Sequence, residues 1–198
     1  MLYNVIVGIA RVLITLFCWP KVKNIQNLDD VGGKIIICSH RYWWDPVLVA
    51  VCCKSQLNFM AKEELFENPI LGFILPKINA FPIKRGSADV KAIKNSIKLL
   101  EDKKTLLIFP EGTRNKVHDG EMLEFHKGAA FLAVKANADI VPIYIVKRRI
   151  KGRINATVGD TISTSSAIEG VPKREQADRL TDVIVEKMTQ LKQLSEGK

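Results

Sequence analysis

The run Ser39-His40-Arg41-Tyr42-Trp43-Trp44-Asp45-Pro46 sets an imidazole and a carboxylate five residues apart, directly after the apolar stretch KIIIC. A carboxylate on one ring nitrogen fixes the tautomer and stabilises the imidazolium, leaving the other nitrogen to take a proton from a hydroxyl. Residues five apart share no helix face, so the pair meets only if the stretch between them bends as a loop. Asp45 before Pro46 also reads as a helix start, with Asp as N-cap and Pro at the first helical position. A second set is FPEGTR at 109–114, after the strand-like TLLI. There Gly112 permits close backbone approach, and Arg114, three residues past Glu111, carries a planar fork suited to a phosphate. The alternative is a plain turn with a local ion pair. A third is FPIKRG at 81–86, where Lys84 and Arg85 precede a glycine. Such a stretch cradles a phosphate or solvates a loop.

Each set follows a short apolar run, and sites in α/β proteins gather at the carboxyl ends of strands. Strands are expected at 34–38, 57–61, 80–83, 105–109, 140–146 and 153–158. Helices are expected at 46–54, 63–67, 88–102, 128–137 and 173–194, with a loop at 163–172. The alternation predicts an α/β fold: a mixed, mainly parallel sheet flanked by helices. A length of 198 residues suits one domain that needs no staple. With 47% hydrophobic and 26% charged residues, disordered and collagen-like classes are excluded. The four cysteines, Cys18, Cys38, Cys52 and Cys53, form no C-x-x-C pair, which excludes zinc ribbons and thioredoxin-like sites. Reduced thiols and a cytoplasmic setting follow.

Residues 1–18 hold a single charge, Arg11, in a run rich in Leu, Ile and Val. Asn4, Gly8, Arg11 and Thr15 form one narrow stripe on a helix that is otherwise apolar. A spanning helix needs about 20 apolar residues and tolerates a central Arg poorly. The start MLYN lacks the basic region of a secretory signal. The expectation is therefore an amphipathic helix lying in one leaflet, with Arg11 reaching toward the headgroups. A helix packed on the domain is the alternative. The division would be 1–20 as membrane-associating helix and 21–198 as catalytic domain. The net charge of +9 points to an anionic partner. Its clusters are KRRIKGR at 147–153 and the row Lys91, Lys94 and Lys98.

SHRYWWD, FPIKRG, FPEGTR and the apolar IVPIYI at 140–145 occur in that order. This succession resembles the 1-acyl-sn-glycerol-3-phosphate acyltransferase family, the lysophosphatidic acid acyltransferases, over about residues 34–146. FPEGTR is the most specific part of the likeness. Ser39 and Trp43 depart from it, standing where many members carry Asn and Ser. The resemblance implies transfer of a fatty acyl group from acyl-CoA or acyl carrier protein to the sn-2 hydroxyl of lysophosphatidic acid, yielding phosphatidic acid. It implies His40 as general base and Asp45 as its orienter, with Lys84, Arg85 and Arg114 on the acceptor phosphate. Glu111 would position the acceptor or Arg114, and backbone N–H groups of the Glu111–Gly112–Thr113 turn are candidate oxyanion donors. No metal or cofactor beyond the thioester co-substrate is called for, and His118 and His126 read as surface or supporting residues. The site would face the cytoplasmic leaflet, on a peripheral or monotopic protein.

Competing chemistries fare worse. Cys38 as a covalent nucleophile competes with its more usual role as a buried thiol. Ser39 lacks a G-x-S-x-G elbow, and GGK at 32–34 is no P-loop. A nucleic-acid module sits poorly with 7% aromatics and no interleaved basic-aromatic strand. Acyl transfer to glycerol 3-phosphate or another lysophospholipid, and a non-catalytic basic membrane-binding protein, stay as alternatives.

Overall fold

The computed structural model describes residues 2–18, 20–84, 89–115, 122–147 and 154–196. Seven strands form one sheet: β1 (Lys21–Lys23), β2 (Ile35–Cys38), β3 (Leu57–Lys62), β4 (Ala80–Ile83), β5 (Thr105–Ile108), β6 (Ile140–Lys147) and β7 (Ile154–Val158). Their order across the sheet is β1-β7-β6-β2-β5-β3-β4. All neighbouring pairs are parallel except β6 with β7. The sheet is thus mixed and mainly parallel, as expected. All four residues of β2 are buried, the continuous apolar pattern of a parallel strand covered on both faces.

Two cores lie on opposite faces of the sheet. One packs α5 (Val90–Glu101), α6 (Gly128–Ala136) and α8 (Gln176–Glu196) over Ile35, Ile37, Leu106 and Ile140. Leu180, Ile184, Met188 and Leu191 are the buried stripe of α8, recurring at helical spacing. The other core packs α2 (Asp45–Cys52) and α1 (Leu2–Cys18) over Ile36, Cys38, Leu107 and Ile143.

Helix α1 is apolar on two sides. Tyr3 is buried and its hydroxyl accepts from the Leu57 N–H at 2.9 Å, while Val7, Ile14 and Cys18 pack against the second core. Arg11 does not reach outward. Its Nε and Nη2 both donate to the Val51 carbonyl, at 3.2 and 3.0 Å, in the last turn of α2. A cation is favoured there by the unpaired carbonyls of the helix end. The opposite face, with Val5, Ile9, Val12, Leu13, Leu16 and Phe17, is exposed. Among the described residues no helix is long and apolar enough to cross a membrane.

Several short elements depart from expectation. β1 carries two exposed lysines around Val22, too short an alternation to read as a strand, and is held by pairing with β7. A helix α3 (Glu64–Glu67) lies in the expected 63–67 segment and leads into α4 (Pro69–Ile74), which no expected element covers. Asn68 caps α4, accepting from the Ile70 and Leu71 N–H groups at 3.0 and 3.1 Å. The expected loop 163–172 contains a helical turn, α7 (Thr164–Ala167), tied down where Thr164 Oγ1 donates to the Ala138 carbonyl at 2.7 Å.

Candidate active site

β2 ends at Cys38 and delivers Ser39 and His40 to the carboxyl edge of the sheet. Ser39 is buried, and its Oγ accepts from the Ile145 N–H at 3.1 Å, pinning the strand end to β6. Beyond it the chain bends before α2. That bend brings His40 Nδ1 to 3.1 Å from Asp45 Oδ2. The same oxygen accepts from the Arg41 and Tyr42 N–H groups at 2.7 and 2.6 Å. Asp45 is fully buried and already inside α2, so it is not the N-cap; Trp44 holds that position without a side-chain cap. Its carboxylate instead gathers the loop that precedes it and aims the imidazole.

The FPEGTR turn braces the same histidine. Phe109 stacks on the His40 ring with centroids 4.1 Å apart. Glu111 Oε1 accepts from the His40 N–H at 3.0 Å, and the Asn115 N–H donates to the His40 carbonyl at 2.7 Å. Both backbone groups of His40 are thus fixed by this turn. Glu111 is buried, which raises its carboxyl above the ordinary value; the His40 N–H and the His40 and Arg41 charges oppose that rise. Expected to position the acceptor or Arg114, it lies buried under the histidine, bonded to the His40 N–H. Gly112 has φ of +64°, and a Cβ there would stand 2.7 Å from the His126 ring. Its N–H donates to the Phe109 carbonyl at 3.0 Å, so it is spent as an oxyanion donor. Thr113 and Arg114 are exposed.

A cavity of about 760 Å³ opens beside this turn. Met60, Ile93, Phe109, Phe131 and Leu132 supply apolar wall, and Lys84, Asp89, His126 and Lys127 supply polar groups. The Lys84 N–H donates to Asp89 Oδ2 at 3.0 Å, and its Nζ lies 3.7 Å from Glu63 Oε2. Lys127 is paired with Asp178 at 2.6 Å. Arg85, His118 and the side chains of the 147–153 cluster lie outside the described residues. Lys91, Lys94 and Lys98 are exposed along α5.

Three contributors, Arg41, Tyr144 and Glu196, escaped the sequence. Arg41 Nη2 donates to the Tyr144 hydroxyl at 2.8 Å, and that hydroxyl lies 3.4 Å from Glu196 Oε1. This ties the dyad loop to β6 and to the end of α8. The sole clue was Arg41's place inside SHRYWWD; nothing in the order of residues announces Tyr144 or Glu196. His126, read as a surface or supporting residue, lies against the turn: its ring covers Gly112 and its N–H donates to the Pro110 carbonyl at 2.8 Å.

Cys38, Cys52 and Cys53 are poor nucleophiles. Burial pushes Cys38 well above its ordinary value, Cys52 up to about 11 and Cys53 up to about 12. Cys38 Sγ donates to the Ser39 carbonyl at 3.4 Å and sits within the core. Among the described residues no His, Cys, Asp and Glu cluster could hold a metal ion.

A histidine–carboxylate pair at the carboxyl edge of a mainly parallel sheet places the candidate site where α/β enzymes carry theirs. The family model described as Acyltransferase matches residues 20–146. The 1-acyl-sn-glycerol-3-phosphate acyltransferase of Bacillus subtilis is 29% identical over 197 residues, covering 96% of both chains. That of Streptococcus pneumoniae is 33% identical, covering 85% of this chain and 69% of its own. The crystal structure of the lysophosphatidic acid acyltransferase PlsC from Thermotoga maritima superposes with a TM-score of 0.70 at 21% identity, over 96% of this chain and 81% of that one. The chain therefore belongs to the acyltransferase family that includes the 1-acyl-sn-glycerol-3-phosphate acyltransferases.

Proposed function

We propose that this enzyme transfers a fatty acyl group from acyl-CoA or acyl carrier protein to the sn-2 hydroxyl of lysophosphatidic acid. The observation that carries the chemistry is the 3.1 Å contact of His40 with Asp45, whose carboxylate is held by two backbone N–H groups, next to a turn that lines a mainly apolar cavity. The relatives' names supply the acceptor.

With Nδ1 directed at Asp45, His40 Nε2 takes the proton from the acceptor hydroxyl as its oxygen attacks the thioester carbonyl. Asp45 stabilises the imidazolium that forms. As the tetrahedral intermediate collapses, the C–S bond breaks and the proton passes to the departing thiolate. No acyl-enzyme is needed, which agrees with the inert Cys38. Lys84, Arg85 and Arg114 draw the acceptor phosphate, and the cavity takes an apolar chain. An acyl chain is continuous with lipid, so the enzyme works at the cytoplasmic membrane face, with the outward side of α1 in the leaflet.

Purified protein offered both donors and a panel of lysophosphatidic acid, glycerol 3-phosphate and lysophosphatidylcholine, scored by product mass, tests this reading. Phosphatidic acid should dominate. Turnover confined to another acceptor overturns the substrate, and no acyl product from any pair overturns the reaction.

A further inference from the structure

We propose that helix α4 is a second membrane contact, forming with the outward face of α1 one surface that rests on an anionic lipid leaflet; this deepens the reading above and rests on its lipid-borne acceptor. Ile70 and Phe73 are each 67% exposed, and Leu71 is 38% exposed. No residue of α4 is buried, so its six residues PILGFI stabilise no core. Water is a poor solvent for such a helix, and a patch of this kind marks an interaction site.

The patch is continuous and built. The chain passes from α4 directly into the helical turn Leu75–Ile78, and α1 packs against that turn. The start of α1 lies against this turn, since Asn4 accepts from Gln56 and Gln56 accepts from Asn79 just past it, and Leu2, Val5 and Ile9, 44%, 51% and 58% exposed, continue the apolar surface along α1. The Asn68 cap fixes where α4 begins. Gly72 lets it fold tightly on α3, since a Cβ there would strike the Phe66 carbonyl. A defined helix presenting apolar side chains outward is the geometry of an interfacial element.

Charge selects the occupant. Lys77 Nζ stands 4.7 Å from the Phe73 ring centroid, at the edge of the apolar plate. Lys21 and Lys23 are exposed on β1, where they fringe the far end of the α1 face at the sheet edge opposite β4. Neither α1, α4 nor the turn 75–78 contains an acidic residue. The acids of the adjoining segment, Glu63 and Glu64, face Lys84 and Lys62 at 3.7 and 2.7 Å, leaving Glu67 at its edge. A second copy of the chain would set lysine fringes against each other, whereas anionic headgroups satisfy them. The placement also serves the site. α3 begins one residue after Glu63, whose N–H donates to the carbonyl of Ile83 on the cavity wall. The segment that leads into the plate is therefore tied to a cavity wall residue, which suits an acceptor that enters with its tail still in lipid.

The test uses the full chain with Ile70→Asp and Phe73→Asp together, floated with vesicles of phosphatidylcholine alone or mixed with phosphatidylglycerol. Binding to the mixed vesicles should fall at least about tenfold. Turnover of a short-chain soluble acceptor should stay at the wild-type level, because both side chains are outside the core. Lys77→Glu should weaken binding to the mixed vesicles and leave neutral vesicles unaffected. Wild-type flotation of the folded double variant overturns the proposal. A lipid-free dimer that the double variant dissolves also overturns it, assigning the plate to self-association. Failure of the acyl-transfer reading shows separately, as no turnover of the soluble acceptor by the wild-type chain, while flotation still decides the plate.

Discussion

Asp45 Oδ2 accepts from two backbone N–H groups and meets His40 Nδ1, while its buried Oδ1 has no hydrogen-bond partner among the described residues. Asp45→Asn keeps the size and can still accept from Arg41 and Tyr42, but removes the charge that favours an imidazolium. Turnover should fall about a hundredfold or more, within the range for general-base catalysis, with little change in melting temperature. Steady-state rates beside a thermal melt check it. Glu111 makes a pH prediction. Its folded pKa is raised by burial, so its contribution to stability is full below the unfolded carboxyl value and is lost as pH rises through the folded value. Glu111→Gln cannot ionise and can still accept from the His40 N–H. Its stability relative to wild type should rise between acid and neutral pH, measured by denaturant unfolding at both; a pH-independent difference contradicts the assignment. Cys38→Ala should retain turnover and lose about 1 kcal/mol through packing, with no acyl adduct by intact mass after donor alone.

The FPEGTR turn acts as an element because backbone geometry and side-chain contact coincide at Gly112. Gly112→Ala meets two penalties, positive φ and the His126 ring. Adding His126→Ala should recover the steric share and leave about 1 kcal/mol of backbone strain, so a double-mutant cycle separates them. Full recovery would contradict the φ argument. The strands that carry the site were legible because β2, β4 and β5 are short apolar runs ending in polar motifs. The His40–Asp45 pair was legible as one option, since the loop had to bend for the two to meet. Glu111's turn inward was not, because a carboxylate beside Gly reads as solvent-facing until burial is known. α4 escaped for a related reason: six apolar residues behind Asn-Pro show no period long enough to separate a core strand from an exposed helix. Arg11 lay in the expected polar stripe, yet the carbonyl it reaches belongs to a residue 40 positions away.

At the scale of the whole molecule, α1 is both a structural layer and an exposed apolar face, which changes how its role is probed. Deleting residues 1–18 would strip Tyr3 from the Leu57 N–H and uncover the second core, confusing stability with membrane binding. Val5→Asp with Ile9→Asp leaves the docked face intact. It should reduce vesicle flotation while turnover of a soluble acceptor persists; undiminished flotation would deny α1 a lipid role. Salt should weaken binding without abolishing it, because screening leaves apolar burial unchanged. The claim on which the rest depends is that His40 is the base. The most direct measurement is kcat/KM of folded His40→Ala with acyl-CoA or acyl carrier protein and lysophosphatidic acid, scored by phosphatidic acid mass, alongside wild type. A fall of about a hundredfold or more with an unchanged melting temperature is the predicted result; wild-type turnover by the folded variant would contradict it.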